Sequence, residues 1–297
     1  AVSKDRGVRI IFHITKYYVD RFYFFGAPGK IFKLHLRTRL MDYEDEIQNI
    51  IGRVKDGESQ KMEVYQDLAS IYHFLYGKTY DYDGQADVAE KNAPEDVSKI
   101  VDGGCGTGGL TAILAERYPE AEVLGVDLNG AMLDIAEKIV DKDNVEFRQM
   151  DIMDLETSAD IFTFFGTTPH LEEDQLRELF SKIYSMLSED GVLVLDFKSP
   201  NVKKHEDGHC SIWSRETENY KVKNPITTVY EDGNPRYVFS FEFTDKESGE
   251  KFHAGDIMDI NLYTREEMEE LLGESGFSDV ETLEEGDQSG IVVARKN

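Results

Sequence analysis

Three aspartates end or closely follow apolar runs of the sequence: Asp102, Asp127 and Asp151. Asp102 opens the segment DGGCGTGG, which places glycine at alternate positions, including Gly104 and Gly106. Glycine is needed where the chain turns sharply and a ligand touches the backbone, because a Cβ would block that approach. A carboxylate at the tip of the following strand is placed to bind the hydroxyls of a ribose. The spacing therefore predicts a nucleoside site, with Asp127 at the ribose and Asp151 at the adenine.

The elements around these aspartates alternate between strand and helix. IVDGG, LTAILAERYP and AEVLGVD read as one βαβ unit, and NVEFRQ, ADIFTFFG and GVLVLDF read as three further strands. Such alternation predicts a parallel, doubly wound sheet with its ligand at the carboxyl ends of the strands. SDVETLEE and SGIVVARK supply two final strands, the last one antiparallel. The helix before them begins at the capping pair Thr264 and Glu267 and is closed by Gly276.

The glycine segment also fits a dinucleotide motif, GxGxxG, through Gly104, Gly106 and Gly109. Asp102 argues against that alternative, because a carboxylate there would repel a pyrophosphate. It suits a ligand that carries a cationic amino acid portion.

Aspartates at three successive strand ends resemble the class I S-adenosylmethionine-dependent methyltransferases, over roughly residues 62–297. The resemblance implies a seven-stranded, doubly wound Rossmann-like α/β sheet with an antiparallel β insertion after strand five, and S-adenosyl-L-methionine as cofactor. Gly103 departs from the family pattern, which usually has a larger apolar residue there, and we expect a looser strand. The cofactor contacts that the resemblance implies are Tyr80, Asp102, Gly104, Gly106, Asp127, Leu128, Asp151, Ile152 and Phe165.

A narrower resemblance is carried by a histidine after the fourth strand, an inserted sheet, and INLYTREEMEELLGESGF. This order is similar to nucleotide-sugar N-methyltransferases that act on amino sugars, and to enzymes that methylate glycine or other small metabolites. It implies that His170 and Tyr72 are catalytic residues, with His170 taking the proton of an amine, and that Tyr72 and Tyr80, in YHFLYGKTY, belong to a lid. His253 and Trp213 are candidate substrate contacts.

Other side chains and functions have competing interpretations. We expect His73 to be exposed, and Tyr65 and Tyr76 to cover the sheet. An O-methyltransferase acting on a carboxylate would need a cationic clamp, for which the insertion offers Lys203, Lys204, Arg215 and Arg236. A non-catalytic S-adenosylmethionine-binding sensor or partner protein is the third alternative.

The predicted organisation has five parts. They are an atypical basic aromatic segment at 1–40, lid helices at 41–95, the cofactor-binding core at 96–199, an antiparallel roof at 200–256 and the rest of the core at 257–297.

Charge limits the partners. The chain has a net charge of −26, but residues 1–40 contain nine Lys or Arg and two Asp, so the remainder carries −33. Nucleic acid and anionic membranes need clustered cations that the core lacks. A solvated surface, in a cell of high internal salt or otherwise, accounts for the carboxylates. Residues 1–40 are either a basic amphipathic arm or, as we favour, a start-site extension preceding Met41 or Met62.

Two cysteines, Cys105 and Cys210, suggest neither a disulfide framework nor a metal site. No targeting segment is evident, so we expect a cytoplasmic protein with a small-molecule substrate. The sequence leaves a homodimer open.

Overall fold

The structure is a computed structural model. It describes residues 41–56, 61–201, 205–285 and 289–296, and the backbone of residues 11–15, 18–25 and 31–33. The chain divides into two units, residues 1–40 and residues 41–297. In the first unit, an antiparallel sheet has the order β1 (Ile11–Thr15), β2 (Tyr18–Phe25), β3 (Ile31–Lys33). The origin of residues 1–40 stays a prediction.

The second unit begins with three helices, continues with an alternation of strands and helices that ends in five consecutive strands, and finishes with one helix and two strands. Its elements are α1 (Tyr43–Lys55), α2 (Ala69–Tyr76), α3 (Tyr82–Asn92), β4 (Lys99–Gly103), α4 (Gly109–Arg117), β5 (Glu122–Asp127), α5 (Gly130–Ile139), β6 (Val145–Gln149), β7 (Ala159–Phe164), α6 (Glu173–Met186), β8 (Leu187–Phe197), β9 (Cys210–Glu216), β10 (Tyr220–Glu231), β11 (Asn234–Asp245), β12 (Lys251–Asp259), α7 (Arg265–Glu274), β13 (Asp279–Glu285) and β14 (Ser289–Arg295).

Seven of these strands form the central sheet, in the order β13-β14-β8-β7-β4-β5-β6. The strands β4 to β8 are parallel to their neighbours within this group, whereas β14 runs antiparallel to β8 and β13 antiparallel to β14. Ile161 and Phe162 are consecutive in β7, point to opposite faces, and are both fully buried. The sheet is therefore covered on both sides, which confirms the predicted fold class.

Helices α6 and α7 pack on one face of the sheet, and α3 and α4 pack on the other. The capping pair of α7 forms as predicted: the Glu267 amide donates to the Thr264 hydroxyl, and the Glu267 carboxylate accepts from the Thr264 amide. Helix α6 begins at Glu173, although Pro169 would suit the first position of a helix. Pro169 lies instead in a separate short 3-10 turn, Thr168–His170, because Leu171 is extended and breaks the helical path.

The remaining strands form an antiparallel sheet with the order β12-β11-β10-β9. One face of this sheet packs against α1 and α2 in a common core that includes Ile50, Leu75 and Phe241. The segment before α2 also joins its edge, since the Met62 amide donates to the Gly255 carbonyl at 2.9 Å. We call these two stretches, residues 41–76 and 205–259, the cap. The cap thus combines two separate predicted parts, the lid and the roof.

Candidate active site

The glycine loop after β4 has the backbone that only glycine adopts readily. Gly104, Gly106 and Gly108 have φ of +67°, +54° and +75°. A Cβ on Gly104 would lie 2.0 Å from the hydroxyl of Thr167, so that position is closed to other residues. A Cβ on Gly106 would meet nothing within 4 Å. The loop therefore has an open side at Gly106, where a ligand has room to touch the backbone.

Gly103 does not loosen the strand, contrary to our expectation. A Cβ on this residue would lie 2.2 Å from the ring of Phe164 and 2.5 Å from the side chain of Ile152. Those two side chains occupy the space that a larger residue at position 103 would fill. Ile152 consequently packs beneath the loop and is 9% exposed.

The carboxylate of Asp127 lies directly beside the glycine loop. It accepts hydrogen bonds from the Gly106 amide at 2.9 Å and from the Asn129 amide at 2.8 Å. Leu128, the next residue, leaves 63% of its surface exposed at the end of β5. A carboxylate at this strand end, followed by an exposed apolar side chain, has the chemistry to bind ribose hydroxyls and an adenine ring.

Asp102 is almost fully buried, although a residue that contacts a ligand can be more exposed. Its oxygens accept from the Thr111 hydroxyl at 2.6 Å and the Thr163 hydroxyl at 2.8 Å, and 3% of the residue is exposed. Burial raises the pKa of Asp102 to about 6, against the lowering effect of the two threonine hydrogen bonds. Asp102 therefore joins β4, α4 and β7, and its predicted contact with the cofactor stays a prediction.

The two other predicted cofactor contacts lie at the same edge of the sheet. Asp151 accepts from the Met153 amide at 2.9 Å and so caps the short turn Ile152–Asp154, with its side chain exposed. Phe165 is half-buried at the end of β7 and packs against the core beneath α3 and α4. Both are accessible from the carboxyl end of the sheet, where the sequence placed them.

Tyrosines of the cap and of the segment after it form a connected cluster above this edge. The hydroxyls of Tyr72 and Tyr80 lie 2.6 Å apart, and the rings of Tyr65 and Tyr72 make an edge contact at 5.2 Å. Burial raises the pKa of all three phenols, so each remains a hydrogen-bond donor near neutral pH. Tyr80 is nevertheless 44% exposed. Part of the Tyr80 side chain is therefore open to solvent.

His170 lies at the other end of the tyrosine cluster. Its Nε2 is 3.3 Å from the hydroxyl of Tyr65, a residue 105 positions earlier. Burial lowers the pKa of His170, and the positive charge of Lys198 lowers it further, while Asp196 opposes both. A neutral imidazole accepts a proton, so this residue has the state that a general base needs. The sequence did not single out Tyr65, which lies far from His170 in the chain.

The structure corrects the expectation that His73 is exposed. It lies half-buried on α2, where its Nδ1 is 2.9 Å from the hydroxyl of Thr107 in the glycine loop. Burial lowers the pKa of His73 to about 4, with smaller contributions from Lys78 and Arg215. The imidazole of His73 is therefore neutral and connects the cap to the glycine loop.

The two predicted substrate contacts lie on opposite faces of the cap sheet. Trp213 is 38% exposed and makes an edge contact with Tyr76 at 5.4 Å, and Tyr76 in turn contacts Tyr72. His253 is exposed on the outer face, because it alternates with Phe252, which packs into the cap core. The structure therefore corrects the expectation that His253 faces the pocket.

The cationic clamp proposed for a carboxylate substrate is only partly described. Arg236 pairs with Asp259 and Glu231, and Arg215 lies over the ring of Phe74 at 5.8 Å. Lys203 and Lys204 lie outside the described residues. The cation that does act on His170 is Lys198, which the sequence reasoning missed.

Within residues 41–56, 61–201, 205–285 and 289–296, no group of three His, Cys, Asp or Glu side chains has the arrangement of a metal site. None of the helices in those ranges has the length and apolar character of a membrane span.

Comparison with known proteins agrees with this geometry. Residues 100–191 match the protein family described as "Methyltransferase domain". Residues 100–191 therefore resemble a methyltransferase domain, and the fold is that of the class I S-adenosylmethionine-dependent methyltransferases.

Two curated relatives are similar over part of the chain. A protein of Geobacillus sp. (strain WCH70) named as a methyltransferase is 34% identical over 151 residues, which cover 48% of this chain and 60% of that protein. The malonyl-[acyl-carrier protein] O-methyltransferase of Acetivibrio thermocellus is 32% identical over 94 residues, or 32% of this chain and 33% of that enzyme. The chain thus spans less than two thirds of the length of either relative.

Two solved structures share the fold more completely. S-adenosylmethionine-bound CalS10, an amino pentose methyltransferase from Micromonospora echinaspora, is 24% identical with a TM-score of 0.64, covering 81% of this chain and 99% of CalS10. The sugar N-methyltransferase KedS8 from Streptoalloteichus sp. is 22% identical with a TM-score of 0.62, covering 74% of this chain and 90% of KedS8.

Proposed function

We propose that this chain transfers a methyl group from S-adenosylmethionine to the amine of a small molecule, with amino sugars as the first acceptors to test. The observation that supports this most is the contact between His170 and Tyr65 at 3.3 Å. This contact supports a proton acceptor in the turn after β7, at the carboxyl end of that strand. The amino sugar enzymes that share the fold give the acceptor class.

Bound S-adenosylmethionine supplies a methyl group on a sulfonium, which leaves when a nucleophile attacks that carbon. The protein's main contribution is alignment, which supplies roughly 7–11 kcal/mol in the best cases. Asp127 would hold the ribose and Leu128 the adenine ring, while Gly106 leaves room for the backbone contact. Exclusion of water would come from the cap, whose tyrosines face the same edge of the sheet.

An amine attacks only through a free lone pair, so it must lose the proton it carries at neutral pH. General-base catalysis of this kind contributes about 10²–10⁴-fold. His170 takes that proton in our proposal, becomes an imidazolium, and releases it to solvent after methyl transfer. In this arrangement Nε2–H donates to the Tyr65 hydroxyl, which leaves Nδ1 as the nitrogen that takes the proton, and Tyr72 with Tyr80 forms the wall against which the acceptor rests.

O-methylation of a carboxylate is the second candidate, because curated relatives include an O-methyltransferase. A carboxylate acceptor needs a cation more than a base. Arg215 and Arg236 are engaged elsewhere, and Lys198 is paired at 3.0 Å with Asp196. These contacts favour the amine.

The test is a labelled-methyl assay on the full chain. The protein is incubated with deuterated S-adenosylmethionine and matched acceptors, one set of amino sugars and one of carboxylic acids, and products are detected by mass spectrometry. We expect labelled amines. In His170→Gln, turnover should fall by about 10²-fold or more, while cofactor affinity, measured by calorimetry, stays unchanged.

Labelled esters alone would move the assignment to O-methylation. Cofactor binding without any labelled product, from these acceptors or from a fractionated metabolite extract, would favour the non-catalytic binding protein.

A further inference from the structure

An ion pair lies at the carboxyl end of β8, next to the loop that carries His170. The Nζ of Lys198 is 3.0 Å from Oδ2 of Asp196. Only 21% of the lysine side chain and 12% of the aspartate side chain are exposed. Burying two charges is costly, and an ion pair of this kind is weak evidence for a purely stabilising role.

The same aspartate fixes the loop that leads to His170. Its Oδ1 accepts from the Gly166 amide at 2.6 Å, and its backbone carbonyl accepts from the Thr168 hydroxyl at 2.6 Å. Lys198 and His170 are therefore attached to one hydrogen-bonded unit, and the distance between their charges cannot change freely.

The charged and titratable groups that face His170 are few. Tyr65 approaches from the segment before α2, and Asp196 and Lys198 approach from the end of β8. The nearby Glu172 is turned to its own helix, where its carboxylate caps the first turn of α6. Lys198 is thus the cation, among the residues described, whose charge acts on the imidazole.

We propose that Lys198 is a positioning residue that keeps His170 in its neutral, proton-accepting form, and that Asp196 holds Lys198 in place for this purpose. The inference rests on the proposed function of His170 as a base. A nearby ammonium group disfavours a second positive charge on the imidazole, and water at the exposed His170 reduces this effect without removing it. The same field would oppose entry of a protonated amine, so the site would select acceptors in their neutral form.

The direction of the effect agrees with the geometry. Burial is the largest cause of the lowered pKa of His170, and Lys198 outweighs the opposing carboxylate of Asp196. Removing only the lysine charge should therefore raise the pKa of His170. Removing both charges should raise it as well, but by less, because the favourable carboxylate is then lost too.

The experiment is an NMR titration of the histidine ring protons in the full chain, without cofactor. The His170 signals are identified by their loss in His170→Gln. Lys198→Met should raise the pKa of His170, and Lys198→Arg should leave it close to wild type. Lys251→Met is the matched control, because Lys251 lies on β12 with its pair Glu242 and its removal changes the net charge equally.

Lys198→Met leaves a buried carboxylate without its partner and could unfold the chain. The double variant Lys198→Met/Asp196→Asn avoids that cost and should still raise the pKa of His170. An unchanged or lowered pKa of His170 in whichever of these variants folds would overturn the proposal, since no other property of the site enters the measurement.

The kinetic counterpart separates charge from structure. In Lys198→Met, the acid limb of the profile of kcat/KM against pH should move to higher pH, with the alkaline plateau largely retained. A structural role would lower kcat/KM by the same factor at every pH. If no acceptor is turned over, the proposed function fails while the NMR titration still decides the effect of Lys198.

Discussion

A methyl group on Gly106 should abolish cofactor binding at little cost in stability. Gly106 has φ of +54°, and its Cβ would meet no protein atom within 4 Å. Gly249, in the turn between β11 and β12, has φ of +75° and equally open space. Gly106→Ala and Gly249→Ala therefore carry the same backbone strain, and only the first lies where a ligand would approach.

The magnitude follows from the contacts around Gly106. An alanine in the left-handed region costs about 1–2 kcal/mol, which lowers the melting temperature by about 2–8 °C in a chain of this size. The Gly106 amide is bonded to Asp127 at 2.9 Å, so a methyl group there would crowd the ribose that we propose Asp127 binds. Loss of two charge-assisted hydrogen bonds, at about 1.5–3 kcal/mol each, weakens binding by roughly 10²–10⁴-fold.

Isothermal titration with S-adenosylmethionine measures the affinity, and calorimetric melting measures the stability. We expect matched melting temperatures for the two variants, normal affinity for Gly249→Ala, and affinity lost only in Gly106→Ala. Equal affinities in two folded variants would refute the placement of the cofactor at the open side of the loop.

Three further outcomes are expected. Asp127→Asn should weaken S-adenosylmethionine binding, measured by calorimetry, by about 10-fold or more. Asp134→Asn, the same change at an exposed position on α5, should leave binding unchanged. Equal affinities of the two variants would exclude the ribose role of Asp127. His73 has a pKa lowered from 6.5 to about 4, so the folded state binds fewer protons than the unfolded state between these values and stability falls as pH falls through them. His73→Gln should flatten that decline in the melting temperature, and a curve parallel to wild type would contradict it. Raising NaCl from about 0.1 to 1 M shortens the Debye length from about 10 to 3 Å. Because the chain has a net charge of −26, this screening should raise its melting temperature. An unchanged melting temperature would show that repulsion between the carboxylates is unimportant for stability.

Local patterns were sufficient for the parts of the fold that local chemistry decides. Glycine at 104 and 106 predicted a loop that needs positive φ, and Thr264 with Glu267 predicted the start of α7. The alternation of strand and helix was enough for the parallel sheet and its antiparallel last strand. Each of these features depends on residues within a few positions of one another.

The parts of the site that the sequence missed depend on packing between distant segments. Tyr65 reaches His170 across 105 positions, and His73 reaches Thr107 across 34. In the sequence, Lys198 is only the residue that follows an apolar strand. Its effect on His170 depends on the folded structure. For His253, alternation along the strand shows that neighbouring residues lie on opposite faces, but it does not predict which face is buried. The helices that cover the buried face come from the other end of the chain.

The cap has a consequence for the order of folding during synthesis. Helices α1 and α2 leave the ribosome first, yet the strands that bury their apolar faces, β10 and β11, are made more than a hundred residues later. Until β10 and β11 are made, Ile50 and Leu75 cannot pack against the sheet of the cap. Contacts between residues so far apart in the sequence form slowly. The parallel strands β4 to β8 are complete before β10 and β11 are made, so they can collapse before the cap does. Newly made chains should therefore pass through a stage in which the cofactor loop is formed while the acceptor side still exposes apolar surface.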